Sequence, residues 1–74
     1  PATNELNITI SSVKAQSIDV KIFDMTARSI MVTQVSAQAG KNLLSLNVSD
    51  LSNGLYFIEV GSGGARVRRP FVKE

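Results

Sequence analysis

Apolar residues recur at every second position in several separate stretches of this chain, and no stretch holds the three-to-four spacing of a helix face. Leu6, Ile8 and Ile10 alternate with Asn7 and Thr9. Ile18, Val20 and Ile22 alternate with Asp19 and Lys21, and Leu44, Leu46 and Val48 alternate with Ser45 and Asn47. A period of two is the signature of a strand with one buried face, because successive side chains point to opposite sides of a sheet. The pattern predicts a first strand over 6–10, a second over about 16–23 and another over 44–48. Between them, 29–36 carries Ile30 and Val32 on one parity and Val35 on the other. That switch predicts either a β-bulge or a second strand starting near Thr33.

Turn residues separate the strands. Asp24-Met25-Thr26-Ala27 follows the second strand, and 37–42 is a loop in which Gly40 is the candidate for positive φ. Residues 49–54 are expected to form one short helical turn, with Ser49 as its N-cap and Gly54 closing it in the left-handed conformation. A strand over 55–60 follows, with Tyr56, Ile58 and Val60 on one parity and Leu55 and Phe57 on the other, the mark of a strand covered on both faces. Gly61-Ser62-Gly63-Gly64 is a hairpin connection into a last strand over 65–73. Pro70 has no N–H for a ladder, which makes that strand an edge or breaks it there. Six or seven short strands at this spacing predict an all-β domain. An antiparallel β-sandwich fits better than a barrel, since each alternation supplies two or three inward residues for one layer between two sheets.

Composition narrows the function more than the fold. Seventy-four residues make a single domain spanning 1–74, and 43% hydrophobic against 19% charged residues is enough to fold. The formal net charge is +2, with eight Lys and Arg against six Asp and Glu. Only Arg66, Arg68 and Arg69 form a local excess, far from the dense basic face of a nucleic-acid binder. No apolar run reaches the roughly 18–20 residues that span a bilayer. Pro1-Ala2-Thr3-Asn4 lacks an initiator Met and is turn-like, so the chain is expected to be a fragment of a longer secreted precursor.

Histidine and cysteine are both absent, which removes the commonest proton shuttle, the best side-chain nucleophile and any thiolate metal site. The remaining acids, Asp19, Asp24, Asp50 and Glu59, fall in different turns and strands, and solvated surface charge accounts for them. No catalytic residue, cofactor site or metal site is expected. The glycines at 61–64 are not a phosphate cradle, because strand rather than helix follows them. Asp50, Ser52 and Asn53 lack the further ligands of a calcium loop. Asn7-Ile8-Thr9 and Asn47-Val48-Ser49 match the N-glycosylation pattern within strands and receive no role. Arg66, Arg68 and Arg69 fit two readings equally well: a docking surface for an acidic partner, or charges that guard an edge strand against unwanted pairing.

The order of motifs along nearly the whole chain resembles the type A C-terminal sorting domain of the Bacteroidetes type IX secretion system. Pro1-Ala2-Thr3-Asn4-Glu5-Leu6-Asn7-Ile8 resembles the second half of that family's opening segment. Val20-Lys21-Ile22-Phe23-Asp24-Met25-Thr26-Ala27-Arg28 resembles its aromatic-Asp turn followed by Gly-Arg, with Ala27 in the glycine's place. If that position has positive φ, alanine strains the turn by around 1 kcal/mol; otherwise the turn is of another type. Residues 51–60 fit the family's most specific segment, a Leu, two residues, Gly, an aliphatic, Tyr and a β run. Phe71-Val72-Lys73-Glu74 resembles its C-terminal tail, with Pro70 where a basic residue is usual.

This resemblance implies an immunoglobulin-like sandwich of about seven strands and a non-catalytic address tag. The tag passes through the periplasm, is recognised by the outer-membrane secretion machinery, and is removed by a sortase-like peptidase as the passenger reaches the outer membrane, the cell surface or the medium. Arg66, Arg68, Arg69, Phe71, Val72, Lys73 and Glu74 are the expected recognition residues, and loss of the last five or so residues is expected to block export while the domain still folds. Leu51, Gly54 and Tyr56 are expected to be structural, with Tyr56 buried and its hydroxyl bonded to a motif residue as in a tyrosine corner. The alternatives are a passive immunoglobulin-like module that binds carbohydrate or spaces domains, and self-association through an edge strand.

Overall fold

The computed structural model describes residues 4–62 and 64–74, so Pro1-Ala2-Thr3 of the opening segment and Gly63 of the last hairpin lie outside the described residues. Six antiparallel strands run in chain order: β1 (Glu5–Ser12), β2 (Gln16–Phe23), β3 (Ser29–Ala37), β4 (Gly40–Asn47), β5 (Gly54–Ser62) and β6 (Ala65–Lys73). They form a two-stranded sheet, β1-β4, and a four-stranded sheet in the order β3-β2-β5-β6. The class is the expected all-β sandwich, with six strands among the described residues rather than about seven.

The predicted alternations supply the layer between the sheets. Ile18, Val20 and Ile22 of β2, Tyr56 and Ile58 of β5, Ala37 at the end of β3, Leu46 of β4 and Val48 just after it are all buried. Leu6, Ile8, Ile10 and Leu44 pack against them from the two-stranded sheet. Ile22 is fully buried at the centre, and burial of a side chain of that size contributes about 1.5–3 kcal/mol.

The parity switch between Val32 and Val35 is neither a bulge nor a new strand at Thr33: the two lie on opposite faces of one regular strand, and a bulge occurs only before them. The register runs unbroken from Gln16↔Ala37 to Ile22↔Met31 and then jumps to Phe23↔Ser29, leaving Ile30 as the extra residue. One continuous strand results, with Met31, Thr33, Val35 and Ala37 turned inward. Ile30 and Val32, 37% and 63% exposed, lie on the outer side. The bulge lies at the hairpin end, not near Thr33. The expected loop over 37–42 shrinks to Gln38 and Ala39, because β4 starts at Gly40, whose φ is +103°. Asn42 ties this crossing between sheets together: it accepts from the Gln38 N–H, and its Nδ2 donates to the carbonyls of Gln38, Gly40 and Ile10.

No helical turn forms over 49–54. A single turn closes where the Leu51 N–H donates to the Val48 carbonyl at 3.0 Å, and the Ser49 cap is replaced by Asn47, whose Oδ1 accepts from both the Ser49 N–H and hydroxyl. Gly54 has positive φ, +154°, a conformation that L side chains rarely adopt, but it opens β5 instead of closing a helix. The turn after β2 is held by Asp24. Its Oδ1 accepts from the Thr26 N–H and hydroxyl and from the Arg28 N–H, and Arg28 Nε lies 3.4 Å from Oδ2. These bonds, the Thr26 hydroxyl first, hold the Asp24 carboxyl below its ordinary value. Ala27 sits at φ +65°, the left-handed conformation usually given to glycine.

Candidate functional site: the tail strand and its neighbours

The last strand is bonded to β5 along its full length, from Gly54↔Lys73 to Ser62↔Ala65. Strand alternation therefore splits the expected recognition residues between two faces. Arg66, Arg68, Pro70 and Val72 point to the outer side of the four-stranded sheet. Val67, Arg69, Phe71 and Lys73 share the inner side with Tyr56, Ile58 and Val60.

On the outer side the arginines are organised. Arg68 lies over the Phe23 ring at 5.1 Å and the Phe57 ring at 6.0 Å, and its Nη2 is 3.1 Å from Glu59. Arg66 reaches the same Glu59 at 3.4 Å and Asp19 at 3.9 Å. Glu59 and Asp19, read from sequence as solvated charges, thus hold the arginines flat against the sheet. Gly61, opposite Arg66 in the register, leaves room for it: an added Cβ would come 2.6 Å from Arg66 Cγ and 2.8 Å from the Ala65 carbonyl oxygen.

Beside the arginines, Phe23, Phe57 and Pro70 form one row across the sheet, and Leu55 and Val72 form the next. Leu55 is 36% and Val72 44% exposed. The expectation that β5 is covered on both faces is corrected here, since Leu55 is exposed on this side, where Arg68 lies over Phe57. The aromatic platform was missed in sequence, although Phe23 and Phe57 share the parity of Lys21 and Glu59, which marks them as outward.

The inner side holds the tail in place. Phe71 stacks on Tyr56 with ring centroids 5.6 Å apart, and Lys73 is buried, its Nζ donating to the Glu74 carbonyl at 3.2 Å. Tyr56 is buried as expected, and its hydroxyl donates to the carbonyl of the motif residue Ser52 at 2.7 Å. Leu51 packs half-buried against the core. Truncating the last five residues would remove half of β6 and the Phe71 ring stacked on Tyr56, so the shortened domain is expected to lose stability along with its tail. Val72 and Glu74 stay accessible.

Arg69 stands apart. It is exposed and makes no ion pair among the described residues. It lines a groove of about 390 Å³ between β1 and β6, floored by Ile8, Ile10, Ile58, Val60 and Val67.

No curated protein and no solved structure matches the chain. A family model, described as the secretion system C-terminal sorting domain, matches residues 1–74. The whole chain, from the alternating first strand through the Leu51 to Tyr56 corner to the basic last strand, therefore belongs to the family of secretion system C-terminal sorting domains.

Proposed function

We propose that this domain acts as a non-catalytic signal read in its folded form, through the outer face of its last strand. Membership of the family makes it a C-terminal sorting signal for type IX secretion, which directs export across the outer membrane through the type IX machinery. The finer reading is supported by one observation above others: Phe71 and Lys73 are inserted on the inner side of β6, which fixes the outward positions of Arg66, Arg68 and Val72. A tail held in this way offers a shaped, charged surface rather than a flexible peptide. Arg66, Arg68, Val72 and Glu74 then contact the outer-membrane machinery directly, Phe71 and Lys73 serve by holding them, and Arg69, on the inner side, is no part of this face. The precursor crosses the periplasm, and a sortase-like peptidase removes the domain as the passenger is attached to the surface.

The test uses a periplasm-directed reporter fused to the domain. The parent fusion is exported, whereas Arg68→Gln combined with Val72→Asp retains it in the periplasm while circular dichroism shows that the purified domain still folds. Normal export of that double variant would refute recognition through this face.

A further inference from the structure

We propose that the groove between β1 and β6 accepts an extended strand of a partner protein, paired to the free edge of β6 and carrying a carboxylate opposite Arg69. Three observations carry this. First, among the described residues β6 pairs only with β5 and β1 only with β4, so the two strands that border the groove each keep one edge with no strand partner there. An edge of this kind is a template for an added strand, whose main-chain bonds give affinity and whose alternate side chains give specificity. Second, the floor is apolar: Ile8 and Ile10 face Ile58, Val60 and Val67 across it, and Val67 is 53% exposed. Apolar side chains at every second position of an incoming strand would cover it.

Third, the charges are asymmetric. Arg66 and Arg68 already have carboxylates on the outer face, while Arg69, turned to the groove, has none among the described residues. A guanidinium beside such a floor favours a carboxylate, which it can bind through two parallel N–H bonds. Pro70 has no N–H to offer and limits the new ladder to residues 65–69. The occupant is therefore a short strand of alternating apolar and polar residues with one Asp or Glu on its apolar side. The proposal rests on the sorting reading only in assigning that strand to the secretion machinery.

The test is binding of a synthetic ten-residue peptide of alternating Val and Thr, with one central Val replaced by Glu, to the purified 74-residue chain. Calorimetry should show binding, and amide exchange should show new protection at residues 65–69. Lys in place of the peptide's Glu should weaken binding about tenfold, and N-methylation of its ladder amides should abolish it. Arg69→Glu should reverse the Glu/Lys preference, and the milder Arg69→Gln should erase it, with circular dichroism confirming that each variant folds. No binding at millimolar peptide, or binding indifferent to both charge and N-methylation, overturns the proposal. Protection of 65–69 that appears with protein concentration alone makes a second copy the occupant. Protection by a preceding segment in a longer version of the polypeptide makes the occupant internal; either result also overturns it. Because the assay uses no export, its failure leaves the sorting reading intact, and failed export of the reporter leaves the groove intact.

Discussion

The ring of Tyr56 stacks on the ring of Phe71, with centroids 5.6 Å apart and planes 23° from parallel. This contact joins the family's most specific motif to its C-terminal tail. The motif alone would order the corner before β5, and the tail alone would be an exposed edge strand. Together they place the tail's outward residues relative to the rest of the sheet, so the corner and the tail are one structural unit.

Tyr56 makes two separable contributions. Tyr56→Phe removes the hydroxyl bond to Ser52 and keeps the stack, with an expected loss of about 1 kcal/mol. Phe71→Ala removes the stack and half-buried apolar surface, with an expected loss of about 2–3 kcal/mol. Urea unfolding of the two variants measures both; a Tyr56→Phe protein as stable as the parent would remove the corner from the account.

The hairpin after β2 carries a correctable strain. Ala27 is in the left-handed region at φ +65°, where an L side chain is disfavoured. Glycine relieves that cost but makes the unfolded chain more flexible, and the two terms oppose each other. The net expectation for Ala27→Gly is a gain of about 0.5–1 kcal/mol, read as a higher thermal midpoint. A lower midpoint would contradict the strain.

Strand alternation made much of this architecture legible. The inward sets of β2 and β4, and the limits of β2 and β6, follow from a period of two and the turn residues between. Register did not follow so directly. Ile30 and Val32 look like core residues, but Val32 lies opposite the outward Lys21 and Ile30 is the bulged residue before it, and nothing in 29–37 marks either position. The site was less legible still. Arg66, Arg68 and Arg69 are close in sequence, but alternation sends the first two to one face and the third to the other. Lys73, expected at a contact, is buried because it shares the inner parity of Phe71 in β6. The family resemblance located the tail; cross-strand register decided which of its residues face out.

Asp24 gives the hairpin a pH dependence. The Thr26 hydroxyl, the backbone N–H groups of Arg28 and Thr26 and the Arg28 charge together favour the carboxylate, so its pKa lies below the ordinary 3.8 in the folded protein. A depressed carboxyl contributes stability that is present above its unfolded value and is lost as pH falls below 3.8 through the folded value. Asp24→Asn should therefore be less stable than the parent at pH 7, with the gap closing on acidification below that value. A gap independent of pH between 7 and 2.5 would assign the effect to lost geometry instead of charge.

Gly61 is required by its neighbour across the last hairpin. With a Cβ, it would meet Arg66 Cγ at 2.6 Å and the Ala65 carbonyl oxygen at 2.8 Å. The first contact can yield, because Arg66 can swing away from Glu59 and Asp19; the second is backbone and can yield only by opening the hairpin. Gly61→Ala should cost about 1–3 kcal/mol, in the range of other overpacked buried positions. Arg66→Ala alone removes two partly exposed ion pairs and should cost no more than about 1 kcal/mol. In the Arg66→Ala background one of the two clashes is gone, so Gly61→Ala should cost less there than in the parent. A double-mutant cycle by urea denaturation measures that difference. Equal costs in the two backgrounds would show that the Ala65 carbonyl alone excludes a side chain, and that Gly61 makes no room for the arginine.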